Sequence, residues 1–289
     1  FRITSEGQFG QTLQARTRID KLTGELADYP VSGQGSVAIA DDTIRVEALV
    51  LRSGEAELQA AGQLAQTAAA LDWSLNVPDM AKLVPGATGQ IAGRGQIGGG
   101  LQAPQVTSEL TVTDLAIAGL KLARLTSDID VDLGDGGQLD LMVEAADLAV
   151  AEQQIRRIQL QGEGDVDAHR LTLDVTRSTP PDSPDTAADT LHLALAGGYQ
   201  APAWIGHIEA LTVASRLAGE WRLRAPAALR AGPEQARLQD FCWQREAGAI
   251  CLEGNWQPAG GQAEVTLSEL ELAWAEPFNA LPEGDFENP

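Results

Sequence analysis

The sequence predicts an all-β fold drawn out into an elongated array, and three observations predict it. Apolar residues recur at every second position along most of the chain, turn residues separate those runs at short intervals, and a Gly-rich strand motif returns in loose copies. Alternation marks a strand with one dry and one wet face, because successive side chains point to opposite sides.

The strands follow in order. Val37 and Ile39 open the series and Ile44 and Val46 continue it, with Asp41-Asp42 as the turn between. After Ser53-Gly54 come Leu58, Ala60, Gly62 and Leu64, then Leu71, Trp73, Leu75 and Val77. The best helical stretch is Pro78 to Val84, stopped by Pro85-Gly86, with room for one or two turns. Gly98-Gly99-Gly100 gives a turn, Ile129, Val131 and Leu133 a strand, and Gly134-Asp135-Gly136-Gly137 another turn. Leu139, Leu141, Val143 and Ala145 follow, then Leu171, Leu173 and Val175, then Leu191, Leu193 and Leu195. Glu152 to Ile158 fits a helix by composition, yet Ile158 and Leu160 continue a strand alternation, so both readings stand. The inward positions of these strands, from Val37 to Leu195, are the candidates for an apolar groove, with Asp140, Glu144, Thr172 and Asp174 sent outward.

The repeat is visible in Ser32-Gly33-Gln34-Gly35-Ser36-Val37, Thr88 to Ile97, and Gln161-Gly162-Glu163-Gly164-Asp165-Val166. Such repetition favours units that pack on their neighbours. Residues 178–188, with Pro180-Pro181 and Pro184, read as a mobile loop or soft boundary inside one continuous segment over residues 1–289.

Charge excludes several functions. Lys and Arg number 20 against 41 Asp and Glu, a net charge of −21, and Lys21, Lys82 and Lys121 are the only lysines. Tracking nucleic-acid phosphate, or lying on an anionic bilayer, needs clustered cations that this chain lacks. The excess acid keeps exposed apolar surface soluble. The chain starts at Phe1 and has no apolar stretch of about 20 residues, so a signal or anchor is expected elsewhere in a longer protein. Leu281 to Pro289, polar and without alternation, reads as the edge of the piece.

Chemical motifs fail on inspection. Gly93-Arg94-Gly95-Gln96-Ile97-Gly98 matches a dinucleotide fingerprint in letters, but Gly99-Gly100 and Pro104 leave no helix to follow it. Asp128, Asp130 and Asp132 resemble a calcium loop that then places Leu133 where Gly belongs and Leu139 where Glu belongs. No nucleophile elbow, zinc-protease helix motif or phosphate loop is present, and His169, His192 and His207 are isolated, so no enzyme, metal or cofactor is expected. Cys242 and Cys251 flank Arg245-Glu246-Ala247-Gly248; a tight turn there sets them opposite each other on paired strands, as a disulfide staple suited to an oxidising compartment such as the periplasm. Trp73, Trp204, Trp221, Trp243, Trp256 and Trp274 are candidates to fill or cover the apolar face.

From Ala203 onward the chain resembles the middle-to-C-terminal part of the TamB family. The resemblance rests on Trp204-Ile205-Gly206, Gly219-Glu220-Trp221-Arg222-Leu223, Pro226-Ala227, Phe241-Cys242-Trp243 and Ile250-Cys251-Leu252-Glu253-Gly254. Upstream, Gly162 to Leu173 and Leu83 to Gly100 look like the same family and its AsmA-like relatives. This resemblance implies a β-taco, a long sheet curled into a U around an apolar groove, with few short helices. It implies a periplasmic protein anchored in the inner membrane, an outer-membrane partner of the TamA type, and either passage of phospholipid acyl chains or chaperone-like help to outer-membrane protein assembly. A dry-cored spacer and a carbohydrate-active enzyme with converging carboxylates are the other readings.

Overall fold

The computed structural model describes residues 2–9, 13–26, 29–40, 43–100, 103–151, 153–177, 188–216 and 218–270. Those residues form nineteen strands and one short 3-10 turn. The chain divides into two compact units, residues 1–175 and 176–289. Residues 178–187, most of the soft boundary read in the sequence, lie outside the described residues, as do Leu281 to Pro289 and Trp274.

In the first unit the strands are β1 (Arg2–Phe9), β2 (Leu13–Leu26), β3 (Tyr29–Ala40), β4 (Thr43–Ser53), β5 (Ala56–Ala65), β6 (Ala69–Val77), β7 (Thr88–Gly100), β8 (Ala103–Ile117), β9 (Leu120–Asp132), β10 (Gln138–Val150), β11 (Gln153–Asp165) and β12 (His169–Arg177), whose last two residues pass the division. From β1 to β11 each strand pairs antiparallel with the next. The turn into β12 is closed by Asp165 N–H donating to Ala168 O at 3.0 Å, and Asp165 Oδ1 accepts from the N–H groups of Asp167 and Ala168. His169 Nδ1 lies 2.8 Å from Asp165 O, so this histidine belongs to turn structure.

Pro78 to Val84 makes a single 3-10 turn at Met80–Lys82, the short end of the one or two turns expected. Asp79 caps it by accepting from Ala81 N–H at 3.1 Å, and Lys82 pairs with Glu55 at 3.1 Å. Glu152 to Ile158 resolves as strand, since β11 starts at Gln153.

Several strands step out of phase. Inward residues three apart, rather than two, occur at Val46 and Leu49, Val112 and Leu115, Leu122 and Leu125, Ala145 and Leu148, and Ile155 and Ile158. Ala48, Asp114 and Asp147 sit at these steps with φ of 45°, 50° and 51°. The step at Val46 and Leu49 shifts the pairing register against β5, and that at Val112 and Leu115 shifts it against β7, as bulges do; from β8 to β11 the register holds, so partner strands change phase together.

The second unit holds β13 (Thr190–Gln200), β14 (Ala203–Ser215), β15 (Gly219–Leu223), β16 (Ala227–Ala231), β17 (Ala236–Arg245), β18 (Gly248–Gln257) and β19 (Gly260–Ser268). Here β14 pairs with both β15 and β16, and β17 pairs with both again. One strand position is thus filled by two short pieces, split at exposed Ala225 and Pro226, just after Arg224 N–H donates to Cys242 O of β17 at 2.8 Å.

Candidate functional site

Register assigns the faces, because directly opposed residues share one. In the first unit Val37 faces Val46, and the row runs on through Gly62, Leu71, Ile97, Val106, Val131, Leu139 and Gly164. A parallel row holds Leu51, Leu58, Leu75, Gly93, Leu110, Ser127, Val143 and Leu160. Between them lie Leu49, Ala60, Trp73, Gly95, Ser108, Ile129, Leu141 and Gly162. Ile39 opposes Ile44 at one margin, where Ile44 is exposed. A Cβ on Gly162 would lie 2.8 Å from atoms of Leu139, Leu141 and Leu171, so these three side chains close over it; Leu173 and Val175 share the parity of Leu171 on β12.

This face is apolar but not sealed. Most of its side chains are half-buried, and among the described residues no large side chain is fully buried. A sealed patch forms where Met80, on its 3-10 turn, joins Ala56, Val77 and Ala87, with Leu75, Leu83, Ile91 and Ile117 packed against them. A second small cluster centres on Val112, Leu122 and Ala145. The dry core expected of a spacer is missing from the described residues.

Sequence reading missed Val106, Leu110 and Val112 on β8 and Leu122 and Leu125 on β9. The first three alternate and were open to detection. The β9 pair, spaced three apart, hides its face.

The opposite face is wet. Gln96, Thr107, Asp130, Asp140 and Glu163 form one row, with Asp72 opposite Gln96. Asp72, Glu109, Asp128 and Asp130 border an open depression of about 470 Å³ that also reaches Trp73 and Gly95. Arg94 donates two hydrogen bonds to Glu109, at 3.1 and 2.7 Å, and Gln96 donates to Asp72 at 2.6 Å. Among the described residues no group of three His, Cys, Asp or Glu could hold a metal ion. Asp132 serves its turn, accepting from Gly134 N–H and from Gln105, each at 2.8 Å. Hydrogen bonds from Arg52 and then Gln59 hold the exposed Glu57 carboxyl below its ordinary range, and Glu55 holds exposed Lys82 above its own. Neither lies at a cleft.

In the second unit Leu191 faces Val213, Leu193 faces Leu211 and Leu195 faces Ile208. Trp204, Ala231, Ala236 and Trp256 form one cross-strand row, and Gly206, Leu229, Leu238 and Gly254 the next. An apolar hollow of about 420 Å³ opens over Leu229, Leu238, Leu252, Gly254, Trp256 and Ala263. Trp221, 4% exposed, stacks at a tilt on Trp243 with ring centroids 5.3 Å apart and donates from Nε1 to Ala218 O at 3.0 Å. Cys242 and Cys251 are directly opposed and joined, with Cα atoms 4.1 Å apart, and Arg245 and Gly248 close the hairpin as the spacing predicts.

A family model described as TamB, N-terminal domain, matches residues 2–283. The translocation and assembly module subunit TamB of Haemophilus influenzae is 27% identical over 178 residues, covering 61% of this chain and 13% of that protein. The chain therefore spans a small part of that relative's length. The family is the one the motifs resemble; the region is corrected, from middle-to-C-terminal to the N-terminal-domain model. No solved structure matches the chain.

Proposed function

The chain belongs to the TamB family, and on that premise we propose that it is a non-enzymatic part of a translocation and assembly module subunit whose apolar face carries phospholipid acyl chains between the inner and outer membranes. One observation carries the reading. An apolar face crosses the strands of the first unit from β3 to β11 and keeps its Leu, Val and Ile side chains half-buried, open to a greasy guest. In this reading the sheet of each unit curls to shelter that face, as in a β-taco. Each sheltered methylene of the guest contributes about 0.8 kcal/mol with no directional bond, so a chain is held yet free to slide.

The disulfide supports an oxidising compartment, and we place the chain in the periplasm as part of a protein anchored in the inner membrane. Among the described residues no helix is long and apolar enough to cross a membrane. A TamA-like outer-membrane protein is the proposed partner, met through regions outside this segment.

Photo-crosslinkers at Leu141 and Leu173 of the full-length protein in cells test the proposal. Phospholipid captured from both positions is the expected result. Capture of unfolded outer-membrane protein alone would instead establish the chaperone-like reading, in which a sheet edge or groove receives nascent strands.

A further inference from the structure

We infer that Trp73 is a cargo-contacting residue, held low over the apolar face by Gly93 and Gly95 so that the face stays passable at its middle row. The inference rests on the acyl-chain reading of that face. Trp73 on β6 stands directly opposite Gly95, and Leu75 opposite Gly93. A Cβ on Gly95 would lie 2.8 Å from Trp73 Nε1, and a Cβ on Gly93 would lie 3.4 Å from Trp73 Cη2. These atoms belong to opposite ends of the indole and rest over two successive inward positions of one strand. The ring therefore lies along β7 instead of rising from it.

Its row shows what this pose achieves. Ala60 precedes Trp73, and Gly95 and Ser108 follow it, so across those four strands Trp73 is the one bulky side chain of its row. An indole standing up there would block a guest moving across the strands. Lying down, it offers a broad apolar surface to an acyl chain. Room for a side chain is short at both positions, since a Cβ on Gly95 would press first on Thr107 O and one on Gly93 on Leu110 Cδ1 and Glu109 O, and a branched side chain at Gly93 would also reach under the ring. The Gly93-Arg94-Gly95 sequence, which copies the letters of a nucleotide motif, thus has a physical cause in the close approach of β8 together with Trp73.

The second unit repeats the device. Gly197 and Gly206 are directly paired, and Cβ atoms on them would lie 2.6 Å and 2.5 Å from Cζ2 and Cη2 of Trp204. A tryptophan lies across a glycine pair on the apolar face there too.

The test uses the full-length protein in cells, with photo-crosslinkers at Val46 or Leu141, on either side of Trp73 across the strands, and reads the ratio of phospholipid captured at the two positions. Gly93→Val puts methyl groups toward the ring and displaces the Leu110 side chain, whose Cδ1 would lie 2.9 Å from the new Cβ, with Glu109 O at 3.1 Å. The expected result is a change of about tenfold in the ratio, one side starved relative to the other. Trp73→Leu alone removes the broad contact with the guest, so capture at the two positions should fall together by about threefold, and Gly93→Val with Trp73→Leu should return the ratio to the value of Trp73→Leu alone. A structural role for the glycine would lower capture on both sides equally. If Gly93→Val does not accumulate, Gly93→Ser, which sets one further atom beyond the Cβ toward the ring, should move the ratio about threefold in the same direction. An unchanged ratio in a folded Gly93 variant, or failure of Trp73→Leu to restore it, overturns the inference. Absence of phospholipid at both positions in the unmutated protein overturns the acyl-chain reading instead.

Discussion

At Gly62 a single hydrogen atom in place of a side chain decides whether two strands can meet. Its φ is 135°, and a Cβ would fall well inside van der Waals contact with Ala70 O and 2.7 Å from Leu71 Cα. Gly62→Ala should cost about 3 kcal/mol or more in denaturant unfolding, from overpacking added to backbone strain. Gly119 is the control: its φ is 86° but nothing lies within 4 Å, so Gly119→Ala should cost only about 1 kcal/mol. The wet face gives the opposite sign. Asp140 lies between Asp130 and Glu163 in one cross-strand row, and directly opposed like charges destabilise a sheet. Asp140→Lys should therefore raise stability by about 0.5 kcal/mol, a gain that shrinks as salt is added. For Glu57 the folded carboxyl titrates below its unfolded value, so its small contribution is present at neutral pH and fades as pH falls through that lowered value; Arg52→Gln should move Glu57 up toward the ordinary carboxylate range by NMR titration, with the Gln59 hydrogen bond still holding it low. Such residues are poorly legible in sequence, since no local letter separates Gly62, pressed on a backbone, from Gly119 in open space.

Strands were the most legible elements, and the exceptions share one cause. Alternation locates β6 and β10 because their inward residues keep strict parity over Leu71, Trp73 and Leu75 or Leu139, Leu141 and Val143. A step out of phase puts the next inward residue three places on, which is also helical spacing. That is why Glu152 to Ile158 reads both ways: Ile155 and Ile158 are inward residues on either side of such a step. The residues at these steps do not announce themselves either, as Ala48, Asp114 and Asp147 take positive φ with side chains that disfavour it. Asp147→Val should cost about 1 to 2 kcal/mol in thermal unfolding, while Asp147→Gly should be tolerated. The β17–β18 hairpin was legible through its cysteines and turn. Reducing Cys242 and Cys251 should lower stability by about 2.5 kcal/mol, measured by denaturant unfolding with and without reductant.

Over a whole unit, the candidate face was legible in kind but not in extent. Period-two runs give an apolar side to each strand, and only register shows that the sides align into rows, because pairing partners cannot be read from one strand. The break between β15 and β16 was hidden for the same reason: both pieces serve one position, set by β14 and β17. In the first unit the spatial order of β1 to β11 is their order in the chain. A chain ended after Asp165 should thus keep the amide-exchange protection of β4 to β9, since none of their partners is removed. The same ordering has a temporal meaning. Each new strand finds its template already made by the strand just before it, so loop closure stays short at every step. A polypeptide delivered N-terminus first can then become structured as it arrives, without waiting for its far end.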